Sequence, residues 1–395
     1  MEFHNRFGLV ALAAALSISA AACKDTTTVA ASVNTVAVLP SSPNLVVGDS
    51  VQLTATPIDQ NGSPILGQVI TWSSSDTTVA TVNASGKVIS KTAGAATITA
   101  TAGGVQGHAV LNVTAASTTP SFNHVFVVGL LETDYLSVFP SSGPSPMPFL
   151  DSLANAGGKA LQYYGNVQPS IGNFYMLAVG DTVTSNDNDA TVFTGDNIVR
   201  QLVGAGKTWK SYAESIPSVG YLGPDQGLYV RHHNVLALLS DVQNDVTQRQ
   251  NLVPLSQLQT DISLGALPNF GMIVPNDCHN SQSGCGLDTV DAFLRTTLTP
   301  LLNSAQFKQD GLLIILFDRA NTSSVNGGGR TAWVVVSSKA KAGYTSTSTY
   351  QHQSTLRLTL SALGVNASSA SGGGSTAPAP GLAANAPDMM EFFNP

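Results

Sequence analysis

Two positions in this chain combine residue type and surroundings suited to chemistry. The first is Asp318, which closes the run GLLIILF (311–317) and opens a loop rich in Gly, Ser and Asn before a second apolar run, Ala332 to Val336. A run so apolar and so short predicts a strand covered on both faces, hence a parallel sheet in an α/β domain. Open α/β sheets build binding crevices at the carboxyl ends of such strands, where Asp318 would stand; as a pattern alone it reads equally as a turn cap. The second is Ser170 in NVQPSIGN (166–173), which opens the apolar segment FYMLAVG. A serine there is either an N-cap or a nucleophile placed where backbone N–H groups and the helix dipole favour anions such as phosphate. No G-x-S-x-G elbow surrounds it, so a catalytic serine would need a metal ion to lower its pKa.

The elements that must hold these residues follow from the pattern. From Phe122 onward, strand-like runs (HVFVVGLL, Lys207 to Tyr212, Phe270 to Val274, Leu312 to Phe317, Ala332 to Val336) alternate with helix-like ones (Met147 to Ala156, Asn197 to Ala205, Thr289 to Ala305). That alternation predicts an α/β domain over 122–395, in which 368–382 is low-complexity Gly, Ser, Ala and Pro, expected to be disordered. Residues 35–115 instead show short runs of alternating polarity between turn signals such as Asn61-Gly62 and Gly103-Gly104, which predict an antiparallel sandwich with Trp72 as its core aromatic. Residues 116–121 read as a linker.

Bulk properties narrow the function. Of 395 residues only 10% are charged, against roughly 25% in typical domains. The net charge is −7 and no basic block exists, so nucleic-acid binding is not expected. Arg6 precedes the apolar run Phe7 to Ala22, and small residues lead into Cys23. Residues 1–22 therefore read as a signal peptide, and 23–34 as a tether lipidated on Cys23, which implies export to a bacterial cell envelope with the lipid as the membrane contact. Ala20 stands where such lipoproteins usually have Leu. In an exported chain the remaining pair, Cys278 and Cys285, is expected to form a disulfide.

Two resemblances can be named from these residues. VGDSVQLTATPIDQNGSPI, ITWSSSDTTVATVNASGKVIS and AGAATITATAGG resemble a group 2 bacterial immunoglobulin-like domain. FNHVFVVGLLETDY, QPSIGN, VRHHNVLALLSD, LPNFGMIVPNDCHN, GLLIILFD and GGGRTAWVVVSS, in that order, resemble the phosphoesterase family of bacterial phospholipase C and acid phosphatases, within the alkaline phosphatase superfamily. The second resemblance implies an alkaline-phosphatase-like α/β fold that cleaves phosphate esters through a serine and a divalent metal. It places the nucleophile on Ser170, keeps Asn173, and aligns His233, His279 and His352 with family histidines, of which His233 and Asn173 would steady phosphoryl oxygens. Asp318 falls on a metal-binding aspartate.

The departures are equally specific. Family members usually carry an acidic residue after that aspartate, where this chain has Arg319; they usually carry Glu-Asn after the first strand, where it has Leu131-Glu132. Gln168 and Arg330 replace two further histidines. A divalent cation needs several anionic oxygens converging on it, so these changes weaken the metal site. Either Glu132 takes the missing carboxylate's place through a bulge, or Arg319 and Arg330 hold phosphate directly. The second case suits an alternative function, a degenerate phosphoesterase that binds a phosphorylated or polyanionic ligand, or a surface partner, without turnover.

Overall fold

The structure, a computed structural model, describes residues 32–114, 120–281, 284–365 and 379–394. The expected signal peptide, Cys23, most of the tether and linker, and 368–378 of the low-complexity stretch lie outside them. The chain divides after Ala115 into two compact units.

The first unit is all-β: β1 (Thr35–Leu39), β2 (Asn44–Val46), β3 (Ser50–Gln52), β4 (Thr54–Ile58), β5 (Thr71–Ser74), β6 (Ala80–Val82), β7 (Lys87–Ser90), β8 (Gly94–Ala102) and β9 (Val105–Thr114). They form sheets β1-β4, β2-β9-β8-β5 and β3-β7-β6 around one core built on Val36, Val88, Ile98 and Leu111. The pairing is antiparallel except between β2 and β9, which run parallel. Trp72 is only partly buried at the edge of this core. Gly86, at φ +82°, lets the ring lie where a Cβ would meet it at 2.8 Å.

The second unit contains β10 (His124–Leu130), β11 (Gly158–Tyr164), β12 (Trp209–Ala213), β13 (Leu252–Pro254), β14 (Phe270–Val274), β15 (Gly311–Phe317), β16 (Arg330–Thr331), β17 (Trp333–Val336) and β18 (Tyr344–Gln351). One sheet joins them in the order β13-β12-β14-β10-β15-β17-β11-β16, with β18 on β11. Its faces are covered by α1 (Pro148–Ala156), α2 (Ser170–Val179), α3 (Ile198–Gly204), α4 (Ser256–Leu264), α5 (Leu287–Asn303) and α6 (His352–Ala362). All seven residues of β15 are buried. Leu312, Ile314 and Leu316 join the core shared with α2 and α6, and Leu313, Ile315 and Phe317 join the core shared with α1 and α5. Each such side chain contributes roughly 1.5–3 kcal/mol on burial, which is why the run carries no polar residue until it ends.

The sheet is mixed, which corrects the expectation of a parallel one. β10, β12, β13 and β14 pair parallel, and β10 pairs parallel with β15, but β17 runs antiparallel to both β15 and β11. The reason is the connection: between β15 and β17 the chain makes a loop over 318–329 and the two-residue β16, with no crossover helix, and only an antiparallel return fits that. Burial on both faces, not strand direction, makes these strands apolar. The chain leaves β10 for β11 on one side of the sheet and then for β12 on the other, so β10 and β15 flank a topological switch point.

The end of the low-complexity stretch is ordered, against expectation. Leu382 N–H donates to the carbonyl of Gly180, and Pro380 and Gly381 pack on that residue. The apolar Met389, Met390, Phe392 and Phe393 then enter the core, giving the small residues before them a docked end.

Candidate active site

The carboxyl ends of β10, β11, β12, β14, β15 and β18 lie along one edge of the sheet, and the candidate residues lie there with them. Asp318 follows β15 and is fully buried. Its backbone N–H donates to the Leu130 carbonyl, and its Oδ1 accepts the Glu132 N–H at 2.8 Å. Its Oδ2 is buried with no hydrogen-bond partner. Burial pushes the Asp318 carboxyl up to about 7, against the lowering effects of the Glu132 amide, the nearby Ser170 hydroxyl and the Arg319 charge. Ser170 is therefore close enough to Asp318 to influence its ionisation, although no hydrogen bond of full geometry reaches Oδ2.

Ser170 is buried in the first turn of α2, after Pro169 at the N-cap. Asp187 caps the helix start: its Oδ1 accepts the Ile171 N–H at 2.8 Å, so a carboxylate occupies one of the amides an anion would seek. Asn173 holds the loop that delivers the serine. Its Oδ1 accepts from Asn166 N and Val167 N, and its Nδ2 donates to the carbonyls of Val167 and Pro169. Those four bonds use all the side chain's capacity, so Asn173 holds the loop that leads into Ser170 and has no donor left for a bound anion.

Glycine allows that loop to sit against Asp318. A Cβ on Gly165 would come within 2.6 Å of the Asp318 carbonyl, and one on Gly327 (φ +98°) within 1.9 Å of the Asn166 carbonyl. The GGGR segment thus serves close backbone packing.

The histidines divide. His352 is fully buried behind the site: Nε2 donates to the Asp318 carbonyl at 2.5 Å, and Nδ1 meets the Tyr163 hydroxyl at 2.8 Å. Burial lowers its pKa to about 4, so it is neutral and fixes the Asp318 backbone. His233 packs on Phe174 of α2. It accepts from Asn280 Nδ2 at 3.1 Å, and Asn280 in turn accepts the Leu131 N–H, tying His233 to the end of β10. Burial, then the neighbouring His232, holds its pKa well below the ordinary value. His279 Nδ1 lies 2.9 Å from both carboxylate oxygens of Glu214, and its ring stacks on Phe293. Cys278 and Cys285 are bonded and fix the loop that carries it.

The two arginines differ. Arg319 pairs with the Glu132 carboxylate through Nη2 and donates from Nη1 to Gln168 Oε1 and the Ala320 carbonyl at 3.3 Å each. Its Nε is buried without a partner. Arg330 stacks on the Tyr135 ring, 4.4 Å from the centroid, so the two guanidinium groups have different engagements. Glu132 does depart from regular strand geometry, at φ +38°, but that turn aims its amide at Asp318 and sends its carboxylate to Arg319.

These residues do not fit a divalent metal. Among the described residues no three His, Cys, Asp or Glu side chains converge on one point. The unpartnered Asp318 Oδ2 is one suitable ligand, but the second expected carboxylate, Glu132, is neutralised by Arg319, whose charge would repel a cation.

Sequence reasoning missed two groups. Glu214 directly follows β12, and the strand-end logic that selected Asp318 would have found it. Asp187 lies in an irregular loop with no pattern to mark it. A cavity of about 450 Å³ lined by Lys207, Trp209 and Gln248 lies at the opposite, amino-terminal edge of the sheet, away from Ser170.

Comparisons with known proteins give a family for each unit. Residues 96–366 match the Phosphoesterase family, and residues 32–113 match the bacterial Ig-like domain (group 2); the two matches overlap in β8 and β9. The chain is 29% identical over 217 residues to a phosphatidylinositol-3-phosphatase of Mycobacterium tuberculosis, covering 54% of this chain and 68% of that protein. It is 29% identical over 187 residues to a phosphate-repressible acid phosphatase of Penicillium chrysogenum, covering 44% of each. The chain thus spans about two-thirds of the first relative and less than half of the second. A protein of the alkaline phosphatase superfamily from Vibrio parahaemolyticus aligns over 63% of this chain and 68% of its own, with 15% identity and a TM-score of 0.43.

Proposed function

The chain belongs to the phosphoesterase family, and from that premise we propose that its second unit hydrolyses phosphate monoesters with Ser170 as the nucleophile. One observation carries this: a buried serine at a helix start lies beside a buried carboxylate whose free oxygen has no other partner. The names of the relatives, acid phosphatase and phosphatidylinositol-3-phosphatase, support a phosphate monoester as substrate.

In this reading Ser170 Oγ forms a bond to phosphorus and its proton passes to Asp318 Oδ2. The bond between phosphorus and the leaving alcohol oxygen breaks, and that oxygen takes a proton from solvent. Water then attacks the phosphoserine, phosphate leaves, and Asp318 returns the proton to Ser170. A carboxylate whose pKa lies near 7 can do both jobs at neutral pH. Asn173 and His352 act as positioning residues, one on each partner. Turnover of a chromogenic phosphate monoester by the purified protein tests this; Ser170→Ala should lower it by roughly a thousandfold, and unchanged turnover would remove Ser170 as nucleophile.

The second reading, a phosphate-binding protein without turnover, is favoured by Arg319 standing where the family pattern places an acidic residue and by its ion pair with Glu132. Absence of turnover in both proteins, with phosphate still protecting against unfolding, would select it. Export and anchoring through Cys23 complete the proposal.

A further inference from the structure

We propose that this site takes its phosphoryl group without a divalent metal, the Arg319 guanidinium serving as the fixed cation. The inference rests on the phosphate-ester reading above and deepens it. A dianionic group arriving at Ser170 meets carboxylates nearby at Asp318 and Glu132 and needs positive charge beside it.

Arg319 is placed to supply that charge. It follows Asp318 directly, its Nη1 reaches Gln168 two residues before Ser170, and its Cβ lies against Gly165 of the nucleophile loop. Five N–H donors radiate from a guanidinium. Nη1 is committed to Gln168 and Ala320, Nη2 makes one bond to Glu132, and Nε has no protein partner. Two donors therefore remain for phosphate oxygens, in the planar geometry that suits a bidentate contact. Glu132 holds the group in place: its carboxylate fixes Nη2 while its own amide binds Asp318 Oδ1. One residue thus orients both the cation and the carboxylate. The donor set around Asp318 is the converse of what a metal requires, with one free carboxylate oxygen, one carboxylate already neutralised, and no third ligand among the described residues.

The test compares the purified protein with Arg319→Asp, which restores an acidic residue, and Arg319→Gln, which removes charge with less disturbance. Inorganic phosphate is the probe, with thermal midpoint in the presence of a chelator as the readout. Manganese binding is measured by calorimetry. The protein should gain several degrees from millimolar phosphate in chelator, and chelator should change its turnover by less than twofold. Both variants should lose the phosphate shift, and Arg319→Asp should bind manganese at least tenfold more tightly than the parent. Circular dichroism identifies a variant that has not folded, and the other then decides. If turnover is absent while the metal-free phosphate shift persists in the parent and in Ser170→Ala but not in Arg319→Gln, hydrolysis fails as a reading and this inference stands. Turnover or phosphate protection that chelator abolishes and a divalent metal restores overturns it, as does a phosphate shift retained by both Arg319 variants.

Discussion

Replacing Asp318 by Asn should stabilise the protein at neutral pH while destroying turnover. The buried carboxyl has its pKa pushed from 3.8 up to about 7, chiefly by loss of hydration. Between these values the folded protein keeps a proton that the unfolded chain has already released. Stability therefore falls as pH rises through that window, and above pH 7 the whole cost of an ionised Asp318 is present. The gap between 3.8 and about 7, at ~1.4 kcal/mol for each tenfold step, amounts to about 4 kcal/mol. Asparagine keeps an Oδ1 that accepts the Glu132 amide and never ionises. Asp318→Asn should then exceed the parent in unfolding free energy by up to about 4 kcal/mol at pH 8, with the difference vanishing near pH 4. Denaturant unfolding at pH 4, 6 and 8, with chelator present, measures this. Trp209 and Trp333 are buried in the second unit and Trp72 lies in the first, so the fluorescence transition that moves in Asp318→Asn is the second unit's. A variant no more stable than the parent at pH 8, or one equally stabilised at every pH, would refute the argument that Asp318 is held against its solvation preference.

Asn173→Ala should destabilise the second unit by roughly 2–4 kcal/mol, since four bonds to loop backbone disappear and buried amides lose their partner. It should lower kcat more than it raises KM, because the loop positions Ser170; a purely structural role would leave kcat of the folded fraction intact, which active-site titration separates. Cys23→Ala should release the expressed protein from the membrane fraction, and a variant that stays with the membrane removes the lipid anchor from the proposal.

Much of the site was legible because strand ends are legible. An apolar run that stops at a charged residue marks where a buried strand meets the crevice, and that logic points to Asp318 from the sequence alone. The same logic applied to β12 would have reached Glu214, whose pairing with His279 depends on a loop that no periodicity describes. Strand β18 is not legible because YTSTSTYQ lacks the apolar density of β15; its sheet position comes from pairing with β11. Side-chain allegiance was not legible at all. Arg319 and Arg330 looked like a matched pair, yet one answers to Glu132 and the other to Tyr135. Asn173 looked like a ligand contact, yet its capacity is spent on the chain around it.

The way the molecule invests its polar bonds bears on whether the site still works. Asn173 is saturated by the serine loop, His352 is buried to hold one carbonyl of Asp318, and Glu132 sits at a strained φ to hold both Asp318 and Arg319. All this geometry leaves one carboxylate oxygen and one guanidinium nitrogen, Asp318 Oδ2 and Arg319 Nε, buried without partners. Each unmet group costs on the order of 1–3 kcal/mol, and simple surface or core residues at either position would remove that cost. Unmet donors and acceptors flanking a buried serine are what a site prepared for an incoming phosphoryl group requires: a donor for its oxygens and an acceptor for the serine's proton. A scaffold whose only task was to space domains would gain stability by filling both.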